Sequence, residues 1–148
     1  MSTKALVKTS CFIFLISVAF SCKKDTPPPS STEKKGDLKV SVAVNTPPSG
    51  MGSDGWHRTY TVIGNPEVFL RDMSDNLVSQ QFCPSNTTID MGSFDYAKYK
   101  IKAQVQIHYK SYKPGQTMGG SEYTWTKQGN VEFDLDGPNK SVNVTIEY

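Results

Sequence analysis

Strict alternation of apolar and polar residues is the feature that most limits how this chain can fold. The longest run covers residues 99–109, where apolar side chains alternate with lysine, glutamine and histidine. Successive residues of a β-strand point to opposite faces, so such a run predicts a strand with one buried and one wetted face. The same pattern occurs in residues 38–44, 131–135 and 142–148.

Shorter segments complete the set of expected strands: Arg58–Ile63, Glu67–Arg71, Leu77–Phe82, Thr87–Met91 and Glu122–Thr126. Turn-forming residues separate several of them, as at 72–76 and 136–139, and no segment shows a helical period. The sequence therefore predicts an all-β fold, a single antiparallel β-sandwich of seven to nine strands. Two sheets are required because each must cover the apolar face of the other.

The amino-terminal residues have a different character from the rest of the chain. Lys4 and Lys8 precede an apolar run, residues 11–20, and Ser21 and Cys22 then lead into Lys-Lys-Asp. A basic start, a short apolar run and a small residue before a cleavage point are typical of a secretory signal. The apolar run is shorter than the ~20 residues that span a bilayer comfortably.

The residues Ala19-Phe20-Ser21-Cys22 resemble the lipobox of bacterial lipoproteins, and the polar residues that follow resemble the cleavage region of Bacteroidota lipoproteins. This resemblance implies a signal peptide at residues 1–21 and a Cys22 that carries diacylglycerol and fatty acyl chains such as palmitate. It also implies an outer-membrane protein that is lipid-anchored and either periplasmic or surface-exposed. The alternative is an ordinary cleaved signal that leaves Cys22 as a free thiol.

Residues 22–36 are expected to form a tether between the lipid and a domain at residues 37–148. Three consecutive prolines favour an extended chain, and the Ser, Thr and Lys residues around them have nothing to bury. The remaining residues have about the size of one sandwich domain.

Two stretches of the expected domain resemble transthyretin-like, carboxypeptidase-regulatory-like domains. Residues 68–82 are similar to an early hairpin of that family, and residues 89–103 resemble its signature, with Ala97 where the family usually has glycine. The resemblance implies a prealbumin-like sandwich, with an immunoglobulin-like one as the alternative. It also implies a binding or spacer module, which says little about chemistry.

Charge and cysteine content argue against a nucleic-acid-binding protein and against a disulfide-stabilised domain. Removing the signal takes away two of the 16 basic residues and none of the 14 acidic ones, which leaves a formally neutral chain. No nucleic acid is expected as a partner, because that binding depends on a basic face. With Cys11 removed and Cys22 lipidated, Cys83 is alone, so no intramolecular disulfide is expected.

Catalytic patterns are absent from the sequence. His108 falls among the polar positions of its run, which indicates a surface histidine, while His57 is expected in a loop or at a strand start. Cys83 is interpreted as a half-buried packing residue, and Asp134 begins a stretch that lacks the spaced acids of a calcium loop. We therefore expect no enzyme, no cofactor and no metal. A row of lysines is interpreted as a solvated sheet face: Lys98, Lys100, Lys102 and Lys110.

The candidate ligand-binding residues are Trp56, His57, Tyr112 and Lys113. They belong to the two least regular, glycine-rich segments, residues 45–57 and 111–121, and loops of this kind often carry function. Aromatic rings there can stack on sugar faces. The sequence does not decide whether the two segments meet at the same end of the sandwich. Tyr123 and Trp125 are further aromatic candidates, although the alternating pattern favours a core position for Trp125.

These observations predict a membrane-anchored, non-catalytic binding or accessory module of the bacterial envelope. Its sandwich would be presented to a glycan or an envelope protein. A structural subunit of an envelope or surface assembly is the alternative, and a hydrolase ranks last.

Overall fold

The computed structural model describes residues 34–116 and 119–148, which form eight strands. The expected signal peptide, Cys22 and the tether up to residue 33 lie outside the described residues. The strands are β1 (Lys35–Asn45), β2 (Gly50–Met51), β3 (His57–Asp72), β4 (Leu77–Phe82), β5 (Thr88–Asp95), β6 (Ala97–Tyr112), β7 (Ser121–Leu135) and β8 (Asn139–Glu147). Among these residues no helix is long and apolar enough to cross a membrane.

The strands form two sheets, which confirms the predicted all-β sandwich. The large sheet contains β3, β6 and β7 in that order, with β2 and β4 both paired to the other side of β3. The small sheet has the order β5-β1-β8. Buried apolar side chains from both sheets form one core.

One pair of strands departs from the antiparallel arrangement that we expected. β1 and β8 run parallel, in register from Asp37 opposite Asn139 to Asn45 opposite Glu147. Parallel neighbours need a long crossover connection. Here the rest of the chain between them, including the whole large sheet, provides that connection.

Several predicted boundaries were wrong because two pairs of short segments are continuous strands. Arg58–Ile63 and Glu67–Arg71 both belong to β3, which bulges against β6 between Ile63 and Glu67. Gly64, at φ 71°, gives the bulge its left-handed residue. Glu122–Thr126 likewise joins residues 131–135 in β7. β1 also begins at Lys35, two residues inside the predicted tether.

The alternating residues face inward as predicted. The buried core includes Leu38, Val40, Val42, Val68, Leu70, Ile101, Ala103, Val105, Ile107, Leu135, Val142, Val144 and Ile146. Cys83 was expected to be half-buried and is instead fully buried. Its Sγ lies 3.6 Å from the carbonyl oxygens of Pro84 and Thr87, because the chain crosses there from the large sheet to the small one.

Two small residues lie where β7 packs closely against β8. Gly129 of β7 lies opposite Ala103 of β6, and a Cβ on Gly129 would overlap the backbone oxygen of Thr145 in β8. The absence of a side chain at Gly129 therefore allows β7 and β8 to pack backbone against backbone.

The two sheets differ in length. β3, β6 and β7 have 15 or 16 residues, whereas the strands of the small sheet have 8 to 11. At ~3.3 Å per residue the long strands extend roughly 50 Å and the short ones roughly 25–35 Å. One end of the large sheet, formed by the start of β3, the end of β6 and the start of β7, continues beyond the end of the β1–β8 ladder.

Candidate ligand-binding surface

Five aromatic side chains occupy the extended end of the large sheet. Tyr60, Tyr109 and Tyr123 form a row across three strands, and Trp125 follows two residues after Tyr123 in β7. All four have the same alternation as the buried residues of their strands, so they lie on the inner face of the large sheet. Tyr148, which directly follows β8, completes this group, which we call the aromatic face.

The rings of the aromatic face form one continuous contact network. Tyr109 lies between Tyr60 and Trp125, with ring centroids 5.3 and 5.4 Å away. Tyr123 and Trp125 are stacked at 5.8 Å. Tyr148 meets Tyr60 and Trp125 edge-on, at 4.8 and 5.6 Å. These separations are typical of favourable aromatic pairs, which add ~0.5–1.5 kcal/mol each beyond area burial.

The aromatic face is partly exposed although it lies on the inner side of the sheet. Trp125 is 36% exposed and Tyr123 is 54% exposed, whereas Ile107, directly opposite Trp125 on β6, is fully buried. The expectation that Trp125 is a core residue was therefore wrong. Tyr148, at the end of the small sheet, contacts Tyr60 and Trp125, and the outermost ring, Tyr123, remains in contact with solvent.

Charged groups border the aromatic face on two sides. Arg58 lies two residues before Tyr60 in β3, and its guanidinium binds both carboxylate oxygens of Asp54, with Nη1 at 3.0 Å from Oδ1. That hydrogen bond lowers the pKa of Asp54 to about 2 and raises the pKa of Arg58. On the other side, Lys127 Nζ lies 4.6 Å from the ring centroid of Tyr148, and burial raises the pKa of the Tyr148 phenol.

The four predicted site residues lie at the same end of the sandwich, and two of them, His57 and Tyr112, lie on the opposite side of the sheet. His57 pairs with Tyr112 in the β3–β6 ladder, and their rings stack at 5.0 Å. The Trp56 ring lies beside Gly119, and the aliphatic stem of Lys113 lies beside Gly55. The two irregular segments therefore meet at one end of the sandwich, which the sequence alone did not decide.

His57 and Tyr112 have the alternation of the polar positions, so they belong to the outer face of the large sheet. The His57 Nδ1 atom is buried and has no hydrogen-bond partner among the described residues. His57 and Tyr112 thus lie back to back with the aromatic face at the same end of the molecule.

The outer face of the large sheet carries the lysine row. Lys98, Lys100 and Lys110 stand directly opposite acidic residues of β7, namely Asp134, Glu132 and Glu122. Lys100 Nζ is 3.7 Å from the Glu132 carboxylate. Cross-strand pairs of opposite charge stabilise a sheet modestly, and this pairing favours the interpretation of the row as a solvated face.

His108 and the acidic side chains are the remaining candidates for catalysis or metal binding. His108 is a partly exposed surface residue, as predicted, and its Nε2 lies 3.0 Å from Glu122. In the part of the chain that the structure describes, no group of three or more His, Cys, Asp or Glu side chains converges as a metal site would require.

Comparisons with known proteins give no match: no family model, no curated protein and no solved structure corresponds to this chain. The resemblances to bacterial lipoproteins and to transthyretin-like domains therefore rest on the residues of the sequence alone.

Sequence reasoning missed most of the aromatic face. Tyr60, Tyr109, Tyr148 and Arg58 were each assigned to strands without a role, and Lys127 was assigned to no strand. The sequence did contain a signal for this surface. Tyr109 and Trp125 occupy apolar positions of alternating runs, and tyrosine and tryptophan rings also suit positions that are partly in contact with water. The strand register that brings them together was not available from the sequence.

Proposed function

We propose that this protein is a lipid-anchored, non-catalytic binding module of the bacterial outer membrane, and that it binds glycan chains on its aromatic face. The observation that carries this proposal is a continuous group of five rings at the uncovered end of the large sheet, of which Tyr123, Trp125 and Tyr148 are exposed to solvent.

The chemistry of the aromatic face suits a sugar better than other ligands. Exposed rings offer flat apolar surfaces for the C–H faces of pyranose rings, while the phenol groups and the Arg58–Asp54 pair at the border can exchange hydrogen bonds with hydroxyl groups. Small-molecule sites are usually concave pockets that enclose the ligand. A surface of rings spread over three strands and Tyr148 favours an extended chain instead.

The expected anchor fits the same function. A lipid on Cys22 followed by an extended tether would hold the sandwich at the membrane while leaving it free to reach an envelope or extracellular polymer.

A glycan array tests the binding proposal. The chain without residues 1–22 should retain a subset of polysaccharides, and Trp125→Ala and Tyr123→Ala should each weaken binding at least tenfold. Tyr112→Ala is the matched control, since it removes an exposed ring at the same end but on the outer face. Loss with Tyr112→Ala and retention with Trp125→Ala would move the site to the residues predicted from the sequence. Failure to bind any glycan, with capture of an envelope protein instead, would replace the ligand class.

Membrane fractionation tests the anchor separately. Cys22→Ala should abolish partitioning of the full chain into the detergent phase and leave an unprocessed or soluble form. A variant that still fractionates with membranes would place the anchor elsewhere.

A further inference from the structure

Lys127 is a charged residue in an inward-facing position of the large sheet. It follows Trp125 by two residues in β7 and stands opposite Val105 of β6, which is 4% exposed. Three of the four lysines of β6 face an acidic residue of β7 on the outer side of the sheet. Lys127 faces an apolar residue on the inner side, so the cross-strand pairing that accounts for the lysine row does not account for its charge.

The ammonium group of Lys127 is held beside the aromatic face. Its Nζ lies 4.6 Å from the ring centroid of Tyr148, and the ring of Tyr148 meets that of Trp125 at 5.6 Å. A cation over the face of an aromatic ring is attracted by the electrons of that ring. Tyr148 therefore positions the ammonium next to Trp125, which is one of the exposed rings proposed to bind sugar.

No carboxylate neutralises this ammonium within residues 34–116 and 119–148. The ion pairs of that part of the chain do not include Lys127. The acidic residue at the border of the aromatic face, Asp54, is bound by Arg58 through both carboxylate oxygens. Lys127 therefore gives the aromatic face a positive charge that has no partner within the described ranges.

We propose that the glycan bound by the aromatic face is acidic, and that Lys127 binds the carboxylate of a uronic acid residue whose ring stacks on Trp125. This inference rests on the proposed function and names the class of sugar. Inward positions two residues apart in a strand are separated by roughly 6.5–7 Å, and the flexible lysine stem allows the ammonium to meet a substituent at the edge of a sugar ring on Trp125. A hydrogen bond from an ammonium to a carboxylate is charge-assisted and stronger than one between neutral groups.

A uronic acid suits this arrangement better than a nucleic acid does. Single-stranded nucleic acids also stack on aromatic rings, but they carry a phosphate at every nucleotide and are bound along positively charged grooves. Arg58, the cation at the other border of the aromatic face, is already paired with Asp54. The charges at this surface thus match an isolated carboxylate on a sugar ring, and they do not match a continuous phosphate backbone.

Paired polysaccharides measure the contribution of the carboxylate. The probes are polygalacturonate, alginate and hyaluronan, each compared with the neutral polymer that is made by reducing its carboxyl groups to alcohols. The full chain, solubilised in a neutral detergent, should bind at least one acidic polymer about tenfold more tightly than the reduced form of that polymer. Added salt should diminish this preference because it screens the charges.

Substitutions of Lys127 test whether this residue supplies the preference. Lys127→Met keeps an apolar stem over Val105 and removes the charge, so it should bind the acidic and reduced polymers equally, with binding of the reduced polymer unchanged. Lys127→Arg should retain the preference. Lys102→Met is the matched control, since it removes the same charge from the outer face, opposite the neutral Asn130. Circular dichroism verifies that each variant folds.

Equal binding of acidic and reduced polymers by the unaltered chain would overturn the proposal, as would a folded Lys127→Met that keeps the preference. An equal loss of preference with Lys102→Met would assign the effect to net charge, and tighter binding of a single-stranded oligonucleotide would assign the surface to nucleic acid. Both of these outcomes would also overturn the proposal.

The same measurements separate this proposal from the one on which it rests. Binding of neutral polymers that Trp125→Ala abolishes, with no preference for the acidic forms, would leave the glycan proposal intact and remove only the acidic sugar. Retention of no polymer in either form would overturn both.

Discussion

The inner face of the large sheet consists of two halves with the same alternation of residues. One half is covered by the small sheet, and the other is partly in contact with solvent. In the middle of β6, Ile101, Ala103, Val105 and Ile107 are buried against the small sheet. At the end of the same strand, Tyr109 lies next to the exposed Trp125 and Tyr123. The strand pattern is identical in both halves. The difference arises because the small sheet ends, so the reach of the partner sheet decides which inward-facing residues become core and which become surface.

The largest expected effect is at the centre of the covered half. Val105→Asp places a carboxylate in a position that is 4% exposed, opposite Lys127 of β7, and even with that lysine as partner the cost of desolvating the charge is a large part of the stability of a small domain. We expect a chain that does not fold, measured by loss of the far-ultraviolet β spectrum and of cooperative unfolding. Gln106→Asp, one residue along on the exposed outer face, should fold normally. A folded Val105→Asp would contradict the assignment of this half to the core.

The ladder pair Ile107 and Trp125 compares the two halves directly, since these residues face each other on one side of the sheet. Ile107→Ala should lower the free energy of unfolding by about 2–5 kcal/mol, as in other cores. Trp125→Ala removes three ring contacts, each worth ~0.5–1.5 kcal/mol, from a side chain that is still in contact with solvent. We therefore expect a loss of about 2 kcal/mol, below the roughly 3–5 kcal/mol of a buried tryptophan. Chemical denaturation measures both values. A loss of about 4 kcal/mol or more for Trp125→Ala would mean that the aromatic face is ordinary core.

Gly129 tests how closely the small sheet approaches at the covered half. A methyl group at Gly129 meets the Thr145 backbone and the Val144 side chain, so Gly129→Ala should destabilise the protein by about 1–3 kcal/mol through overpacking. Gly137→Ala provides the control, because nothing lies near its added methyl group. Thermal unfolding of the two variants should differ clearly in midpoint. The same midpoint for both would show that the sheets separate easily there.

The smallest effect concerns the border of the aromatic face. The hydrogen bond from Arg58 lowers the pKa of Asp54 from 3.8 to about 2, so the contribution of the pair is complete above pH 3.8 and is lost as pH falls towards 2. An NMR titration of the Asp54 carboxyl carbon should show a midpoint near pH 2, and Arg58→Ala should return it towards 3.8. Matching midpoints in the two proteins would assign the shift to another cause.

The sequence was sufficient for the fold class and for the direction in which most side chains point. Alternation predicted that Ile107 and Trp125 both point to the inner face of the sheet, and this was correct for both. Alternation contains no information on where the opposite sheet ends. For that reason Trp125 was interpreted as core, and Tyr60, Tyr109 and Tyr148 were not joined into one surface.

The sequence grouped the four candidate site residues into one candidate surface, and they do lie at one end of the sandwich, but the sequence did not contain the strand pairing that brings them together. Trp56, His57, Tyr112 and Lys113 are neighbours because His57 and Tyr112 share a rung of the β3–β6 ladder. That rung depends on the two-residue bulge in β3 and on antiparallel pairing between distant segments, and local composition specifies neither. The parallel β1–β8 pair was missed for a similar reason, since parallel and antiparallel partners have the same alternation.

The parallel pairing of β1 with β8 also determines when this domain can fold. Ser41 and Asn143, hydrogen-bonded side by side in the small sheet, are 102 residues apart in the chain. β1 therefore has no partner on that side until β8 has been synthesised. Contacts at such sequence separation close slowly because the intervening chain must be ordered first. A nascent chain stopped before residue 139 would leave one backbone edge of β1 unpaired, so the small sheet can form only after β8 has been made.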